Sequence, residues 1–380
     1  MLLPVATLSA PQDGHALPRL ASVDVLRGAA ALAVLLCHLP WAGPLPLGGE
    51  VPRGGLSEAL HHGRAGVHLF FVVSGFCIHR GMAARGTVDW AGFARGRLRR
   101  LAPAYFVALA ASLVGAFVYH GLLQGGLEQG FGAAFGAATP GALGWDLASL
   151  VLLRQNLTGA GERIQNVALW TLGVEVELYL LYPLLWWTAR RWGWRRALAF
   201  AAAVTLATRA LSVWGQWPVL LRVGPARWIE FALGACLAGG EPGRQPLPNW
   251  ARSPWLVLVL SACAVAAWEV TEGGGPGAPG WVVTDPLWGC AAAALLAHLL
   301  KRPPTGRTAA ALASVGAVSY SLYLVHVPVQ GAARQLAQML GLGDGSTGLL
   351  RLAAPLLAAA LFYRVAERPW LQRRPPAAQP

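Results

Sequence analysis

The chain has 380 residues, of which 55% are hydrophobic and only 12% are charged. Soluble domains carry about 25% charged residues, so this composition excludes an ordinary soluble fold and predicts a protein that crosses a membrane several times. The net charge of +13 comes from short basic clusters between apolar runs. That pattern indicates membrane topology and argues against a nucleic-acid partner.

Ten apolar stretches are long enough to cross a bilayer as helices, since about 20 apolar residues span its hydrocarbon core. The sixth is the weakest, because it is short and carries Arg227 and Glu230. The sequence therefore predicts an all-α, polytopic integral membrane protein with about ten transmembrane helices. The predicted spans are residues 23–41, 66–82, 103–123, 168–188, 197–215, 222–239, 254–271, 281–300, 309–330 and 349–366.

The basic residues predict how these helices are oriented. If the N-terminus is cytoplasmic, the segments on that side of the membrane hold most of the arginines, which is the positive-inside distribution. We therefore expect an inner-membrane protein with both termini in the cytoplasm. We predict a ten-helix domain over residues 23–366, with cytoplasmic tails at 1–22 and 367–380. Within this domain, residues 124–167 are predicted to form a long extracytoplasmic loop.

An arginine and a histidine mark the two ends of the first predicted helix. Arg27 and His38 are eleven residues apart, so on an α-helix they share one face and lie roughly 16 Å apart along its axis. Arg27 alone could anchor the helix at lipid headgroups, and His38 alone could be structural. Together, an anion-binding group and a proton acceptor or nucleophile suit a long ligand with a charged head and a reactive tail.

The second span and the segment after it carry further polar groups. Ser74 and Gly75 are small residues that permit close helix packing. Arg97 and Arg100 follow in the amphipathic stretch 89–106, for which we expect an interfacial helix on the cytoplasmic face. Its arginines could attract lipid headgroups or bind a phosphorylated ligand, because a guanidinium pairs with phosphate through two hydrogen bonds.

Two later spans also contain polar residues at helical spacing. Glu175 lies four residues before Tyr179, so the two side chains share a helix face. Ser319, Tyr323 and His326 form one polar stripe on an otherwise apolar helix. For both groups a structural hydrogen bond and a functional role are open.

Six further residues in or near the spans are predicted to be structural. Glu367 lies at the inner boundary of the last span, where we expect an ion pair with a cytoplasmic arginine. The five cysteines all fall in apolar runs without metal-ligand spacing, so we expect buried, inert thiols and no metal. These cysteines are Cys37, Cys77, Cys236, Cys263 and Cys290.

Six motifs in chain order resemble those of the membrane-bound acyltransferase family 3, which O-acylates bacterial surface polysaccharides and related molecules. Together they cover nearly the whole chain. Members often have two adjacent acids and a glutamine where this chain has Glu-Val-Glu, so only Glu175 is carried over. The motifs are Arg27 with His38, FFVVSGF at 70–76, Arg97 and Arg100 before Pro103, WTLGVE at 170–175, SYSLYLVH at 319–326, and ERP at 367–369.

The resemblance implies acyl-CoA, usually acetyl-CoA, as a co-substrate that arrives from the cytoplasm, and no metal. Arg27, Arg97 and Arg100 would hold the phosphates of coenzyme A. The pantetheine arm would rise along the first helix and present its thioester near His38, which would act as general base or as nucleophile. Glu175 would orient the imidazole.

The resemblance also implies an acceptor hydroxyl on a glycan or glycolipid of the cell envelope or on an exported glycan. Tyr323 or Ser74 would stabilise the oxyanion, and Tyr179 and His326 are further candidates for contact with substrate. Many members carry an additional hydrolase-like domain, so a separate extracytoplasmic partner could complete the transfer here. The alternative is a transporter or flippase of an acylated or glycosylated lipid. Many transporters are built from internal repeats, and we find no repeat in this sequence, which argues against that alternative.

Overall fold

A computed structural model describes most of the chain as a helical bundle. The described residues are 19–39, 59–85, 88–129, 132–158, 160, 164, 166–239, 253–272 and 278–372. All regular secondary structure in these ranges is helical, which confirms the predicted all-α class.

The longer helices in the described part of the chain are numbered here in chain order, and shorter helical turns connect some of them. They are α1 (Ala21–Cys37), α2 (Ala65–Ala83), α3 (Trp90–Phe117), α4 (Pro140–Val151), α5 (Trp170–Trp192), α6 (Trp194–Trp214), α7 (Trp228–Ala238), α8 (Pro254–Glu272), α9 (Thr284–Lys301), α10 (Arg307–Ala317), α11 (Ser319–Met339) and α12 (Asp344–Phe362).

Seven helical segments within the described ranges are long and apolar enough to cross a membrane, and eight if one broken span is counted. The broken span consists of α10 and α11, which meet at a bend of 74°. The first and sixth predicted spans are shorter, since α1 has 17 residues and α7 has 11. A membrane protein is therefore supported, while the count of ten stays a prediction.

The arginine-rich segment before the third span is part of that span and is not a separate interfacial helix. Asp89 caps α3 by accepting a hydrogen bond from the backbone N–H of Gly92 at 2.8 Å. The helix then continues for 28 residues through Pro103, where we expected a boundary. Proline is tolerated inside membrane helices because neighbouring groups satisfy the freed carbonyl. Arg97 and Arg100 are thereby fixed rigidly to the bundle.

The predicted loop at 124–167 contains a helix of half the length of a span. α4 is capped by Thr139, whose side chain accepts from the N–H of Ala142 at 3.1 Å. Its end is fixed to α3, because the Tyr105 hydroxyl donates to the carbonyl of Leu150 at 2.7 Å. The side of the membrane on which it lies stays a prediction.

Glycines let two pairs of helices touch at backbone distance. A Cβ on Gly28 of α1 would lie 1.9 Å from the carbonyl oxygen of Leu312 in α10. A Cβ on Gly75 of α2 would lie 2.0 Å from the carbonyl oxygen of Phe231 in α7, which confirms the close approach predicted there. Small residues at such crossings are typical of helix packing in membranes.

The prediction of five buried thiols is wrong for two of them. Cys37 and Cys236 are buried and Cys290 is half-buried, but Cys77 and Cys263 are exposed. Cys77 lines a cavity that is described below, so the apolar helix that carries it borders open space inside the bundle. Hydrophobic sequence alone does not distinguish such a face from a core position.

Candidate active site

Seven of the predicted site residues line one cavity of about 100 Å³ between α1, α2, α3, α5 and α11. We call it the arginine cavity. It is walled on one side by Arg27 from α1 and by two arginines from α3, which are three residues apart and share a face. The seven residues are Arg27, Ser74, Arg97, Arg100, Glu175, Tyr179 and Tyr323.

Glu175 is the carboxylate that lines the arginine cavity. It accepts hydrogen bonds from the hydroxyl of Ser74 at 3.2 Å and from the hydroxyl of Tyr179. Its charge interacts with the guanidinium groups of Arg97 and Arg100. The side chains that line the cavity thus include three guanidinium groups and one carboxylate.

Glu367 lies close to the arginine cavity. It is buried in a π-helical turn, Tyr363–Glu367, and its charge interacts with Arg27 and Arg100. Its hydrogen bond, however, is with the hydroxyl of Ser321, at 2.6 Å. The predicted pairing with an arginine is therefore present as a charge interaction with Arg27 and Arg100, while the direct contact of the carboxylate is with α11.

A thin wall of side chains closes the far end of the arginine cavity. The hydroxyl groups of Tyr323 and Thr171 are 2.9 Å apart. The ring of Phe70 packs edge-on against Tyr323 with the ring centroids 5.7 Å apart. On its other side Tyr323 contacts the ring of His326, at 5.6 Å between centroids.

His38 lines a second cavity of about 380 Å³, which we call the histidine cavity. His38 directly follows α1, and its Nδ1 lies 2.8 Å from the carbonyl oxygen of Val34. A carbonyl only accepts hydrogen bonds, so this geometry assigns the proton of the neutral imidazole to Nδ1. The lone pair is then on Nε2, where a general base or a nucleophile needs it.

Arg351 holds the end of α1 and was not predicted. Its guanidinium donates to the carbonyl of Leu39 at 2.7 Å and to the carbonyl of His38 at 3.0 Å. The last carbonyls of a helix have no partner within the helix, and a basic side chain near them is favourable. Arg351 therefore fixes the backbone that carries His38.

His326 stands between the two cavities. Its ring lies 5.0 Å from the ring of His38, in an edge-on arrangement. Its Nδ1 is 2.9 Å from the carbonyl of Tyr323 and 3.2 Å from that of Leu322, so Nδ1 again carries the proton. Nε2 is buried and has no hydrogen-bond partner among the described residues. With its donor already used, a neutral His326 is poorly suited to stabilise an oxyanion.

The structure separates two residues that we expected to act together. Glu175 makes its hydrogen bonds inside the arginine cavity, whereas the His38 Nδ1 is close to the carbonyl of Val34 and the thiol of Cys37. Glu177, two residues later, accepts from the side chain of Asn156 at 2.9 Å and from the N–H of Gly224 at 2.6 Å. Glu175 thus faces the cavity and Glu177 fastens α5 to the chain around it.

A second charged group lies buried elsewhere in the bundle, and sequence analysis did not find it as a group. We call it the buried ionic cluster: His68, Arg209, Arg227, Glu230 and Asp285, all at most 7% exposed. The Oδ2 atom of Asp285 lies 2.7 Å from Arg209 and 2.5 Å from Arg227. Arginines and carboxylates inside predicted spans were the available signal, but their pairing depends on the tertiary fold.

A histidine completes the buried ionic cluster. The Nδ1 of His68 is 3.1 Å from Glu230, and its Nε2 is 3.4 Å from Asp285. Both ring nitrogens of His68 face carboxylate oxygens, which only accept hydrogen bonds, so both carry protons and the imidazolium joins the two arginines in pairing with the two carboxylates. Because the charges are paired and the cluster is enclosed, we assign it a structural role in joining α2, α6, α7 and α9.

The described ranges thus form a helical bundle with apolar spans and a cationic cavity, which are features of a membrane protein that binds an anionic ligand. The sequence profile of the acyltransferase domain of acyltransferase family 3 matches residues 20–366. The chain therefore belongs to acyltransferase family 3 and is an acyltransferase, as the motifs predicted.

Two relatives match over most of their length. The acyltransferase MdmB of Streptomyces mycarofaciens is 27% identical over 410 residues, covering 95% of each chain. The exopolysaccharide production protein ExoZ of Rhizobium meliloti (strain 1021) is 27% identical over 330 residues, covering 82% of this chain and 92% of the relative. No solved structure matches.

Proposed function

We propose that the protein transfers an acyl group, by preference acetyl, from cytoplasmic acyl-CoA to a hydroxyl of a cell-envelope or exported glycan or glycolipid. The observation that carries this proposal is the placement of three arginines and one histidine in two cavities that are separated by the rings of Tyr323 and His326. The name of ExoZ supports a glycan acceptor. Membership of an acyltransferase family favours covalent transfer over the transport of a lipid.

The arginine cavity is proposed as the donor site. Arg27, Arg97 and Arg100 would bind the phosphates of coenzyme A, because guanidinium groups bind phosphate oxygens through paired, charge-assisted hydrogen bonds. A cavity of about 100 Å³ is small beside typical ligand pockets of about 300–1,000 Å³. It suits a narrow pantetheine arm, with the nucleotide held at the arginines.

His38 is proposed to activate the acceptor. Its Nε2 would take the proton of the acceptor hydroxyl as the oxygen attacks the thioester carbonyl. The carbon–sulfur bond then breaks, and the thiolate of coenzyme A leaves and receives that proton. The Tyr323 hydroxyl, at the wall between the cavities, would donate to the oxyanion.

A covalent route uses the same atom. The Nε2 of His38 would attack the thioester first and carry the acyl group, and the acceptor hydroxyl would then displace it. Both routes need Nδ1 protonated, which the hydrogen bond to Val34 provides. Trapping an acyl-imidazole after brief incubation with labelled acetyl-CoA separates the two routes.

The proposed topology follows from the helix ends. The end of α1, the end of α11 and the start of α12 supply residues to the histidine cavity, whereas Arg27, Arg97 and Arg100 lie near the starts of α1 and α3. The two cavities thus meet near Tyr323 and His326 and extend toward opposite ends of the bundle. With the positive-inside distribution, the arginine cavity would open toward the cytoplasm and the histidine cavity toward the other side.

The proposal is tested with purified protein in nanodiscs and radiolabelled acetyl-CoA, measuring binding and turnover separately. His38→Ala is expected to keep acetyl-CoA binding and to lower turnover on the order of 10²–10⁴-fold. Arg27→Gln is expected to weaken binding. Arg95→Gln, an exposed arginine on α3 outside the cavity, is the control and should behave as the wild type. Absence of acetyl-CoA binding by the wild-type protein would contradict the proposal.

A further inference from the structure

The described residues that line the histidine cavity include two arginines and no acidic side chain. The arginines are Arg334 from α11 and Arg351 from α12, and their charges are near enough to repel. Like charges placed together in a partly enclosed space are unfavourable unless an anion joins them.

The two arginines are not equivalent. Arg351 already donates to the carbonyls of His38 and Leu39, so its position is set by the end of α1. Arg334 is half-buried and forms no ion pair with a carboxylate in the described part of the chain. Its guanidinium is therefore the one available to a ligand that enters the cavity.

The cavity opens between apolar side chains on the outer surface of the bundle. Val118 and Leu123 at the end of the third span line it, and they are 42% and 56% exposed. Leu336 and Met339 at the end of α11 line it as well, and they are 49% and 80% exposed. In a protein that crosses a membrane, exposed apolar residues on a span face lipid. Such an opening would give the cavity a lateral connection with the bilayer.

We infer that the histidine cavity admits its acceptor from the membrane and binds an anionic group of that acceptor through Arg334. The ligand class that fits is a glycan joined through phosphate to a lipid: the lipid lies along the apolar opening, the phosphate meets Arg334, and a sugar hydroxyl reaches His38. This inference rests on the proposed function and specifies its acceptor. Phosphate is preferred over a lone carboxylate because its several oxygens can engage a guanidinium fork and leave others for polar neighbours.

Polar side chains along the cavity support a sugar between these two ends. Gln330 lines it and donates to the carbonyl of Leu35 at 3.1 Å, which leaves its side-chain oxygen as an acceptor. Ser112 and Tyr119 add hydroxyl groups on the wall formed by the third span. A volume of about 380 Å³ lies within the usual range for small-ligand pockets.

The test measures binding of a polyprenyl phosphate to the full-length protein in a neutral detergent by native mass spectrometry. The matched probes are the polyprenol of the same length, which lacks the anion, and inorganic phosphate, which lacks the lipid. Arg334→Gln is expected to weaken polyprenyl phosphate binding roughly tenfold or more, the loss typical of a charge-assisted hydrogen bond. It should leave polyprenol binding unchanged.

Arg154→Gln is the control, because Arg154 is exposed and does not line the cavity. Equal binding of the polyprenol and its phosphate, or an unchanged affinity in Arg334→Gln, would overturn the inference. Binding of inorganic phosphate or of a soluble acidic oligosaccharide as strongly as polyprenyl phosphate would overturn its lipid component. Acetyl-CoA binding measured on the same samples separates this failure from failure of the proposed function, since Arg334 lies outside the arginine cavity.

Discussion

The arginine cavity and the buried ionic cluster both concentrate charge inside an apolar bundle, yet they are built differently. In the cluster, two arginines contact one aspartate at 2.5–2.7 Å, and a glutamate and a histidine enclose them. In the cavity, three arginines face open space beside one carboxylate. A charge that is paired with an opposite charge can hold helices together, whereas a charge that lines open space is available to a ligand. The two regions therefore differ in how their charges are paired and not in whether they contain charge.

The largest effect is expected when the buried ionic cluster loses its central carboxylate. Asp285→Asn leaves Arg209 and Arg227 without their shared partner, and breaking a buried ion pair this way costs about 3–5 kcal/mol. Thermal unfolding in detergent should show a large drop in the midpoint temperature and in the yield of monodisperse protein. Glu269→Gln is the control, since its side chain is 48% exposed. An unchanged unfolding temperature in Asp285→Asn would contradict the structural role.

In the arginine cavity we expect the opposite result, a loss of ligand binding with a smaller loss of stability. Arg100→Gln should weaken acetyl-CoA binding by roughly 10–100-fold, since a hydrogen bond to a charged group contributes about 1.5–3 kcal/mol. The unfolding temperature should change less than in Asp285→Asn, because relief of the repulsion from Arg97 offsets part of the lost attraction to Glu175 and Glu367. Arg95→Gln on the same helix is the matched control. If Arg100→Gln unfolds as readily as Asp285→Asn, the contrast between the two regions is lost.

The smallest effects are expected for Glu175 and Glu177, which lie on the same helix, α5. Glu175 lines the arginine cavity, whereas Glu177 makes hydrogen bonds to the surrounding chain. Glu175→Gln removes the carboxylate of the arginine cavity, so acetyl-CoA binding should strengthen by a few-fold while the unfolding temperature is retained. Glu177→Gln weakens the hydrogen bonds to Asn156 and Gly224 and should lower stability by about 1–2 kcal/mol with unchanged binding. Acetyl-CoA binding isotherms and thermal unfolding of both variants test this prediction. If the two variants change binding and stability in the same way, the two glutamates do not have different roles.

Sequence patterns identified seven residues of the arginine cavity, because these residues belong to motifs with local spacing, but they placed Glu175 beside His38. Arg97 and Arg100 share a helix face by their separation alone, as do Glu175 and Tyr179. The same local logic failed at Pro103, where the tendency of proline to end helices was outweighed by packing in the bundle. Local pattern is reliable only where tertiary contacts agree with it.

The buried ionic cluster lay beyond sequence analysis for a different reason. His68, Glu230 and Asp285 come from helices far apart in the chain, and only the fold brings their side chains together. Arg351 was missed similarly, because its partners are backbone carbonyls of α1, which carry no sequence signal. The distinction between a paired and an available charge is a tertiary property.

The close backbone contact at Gly28 restricts position 28 to glycine where α1 crosses α10. α1 carries Arg27 near its start and His38 just past its end, and a side chain at position 28 would collide with the carbonyl of Leu312. A larger residue at position 28 would push α1 away from α10 and displace Arg27 and His38 together. The distance between these two side chains is set by α1 itself, so it stays the same when other residues that line the two cavities change.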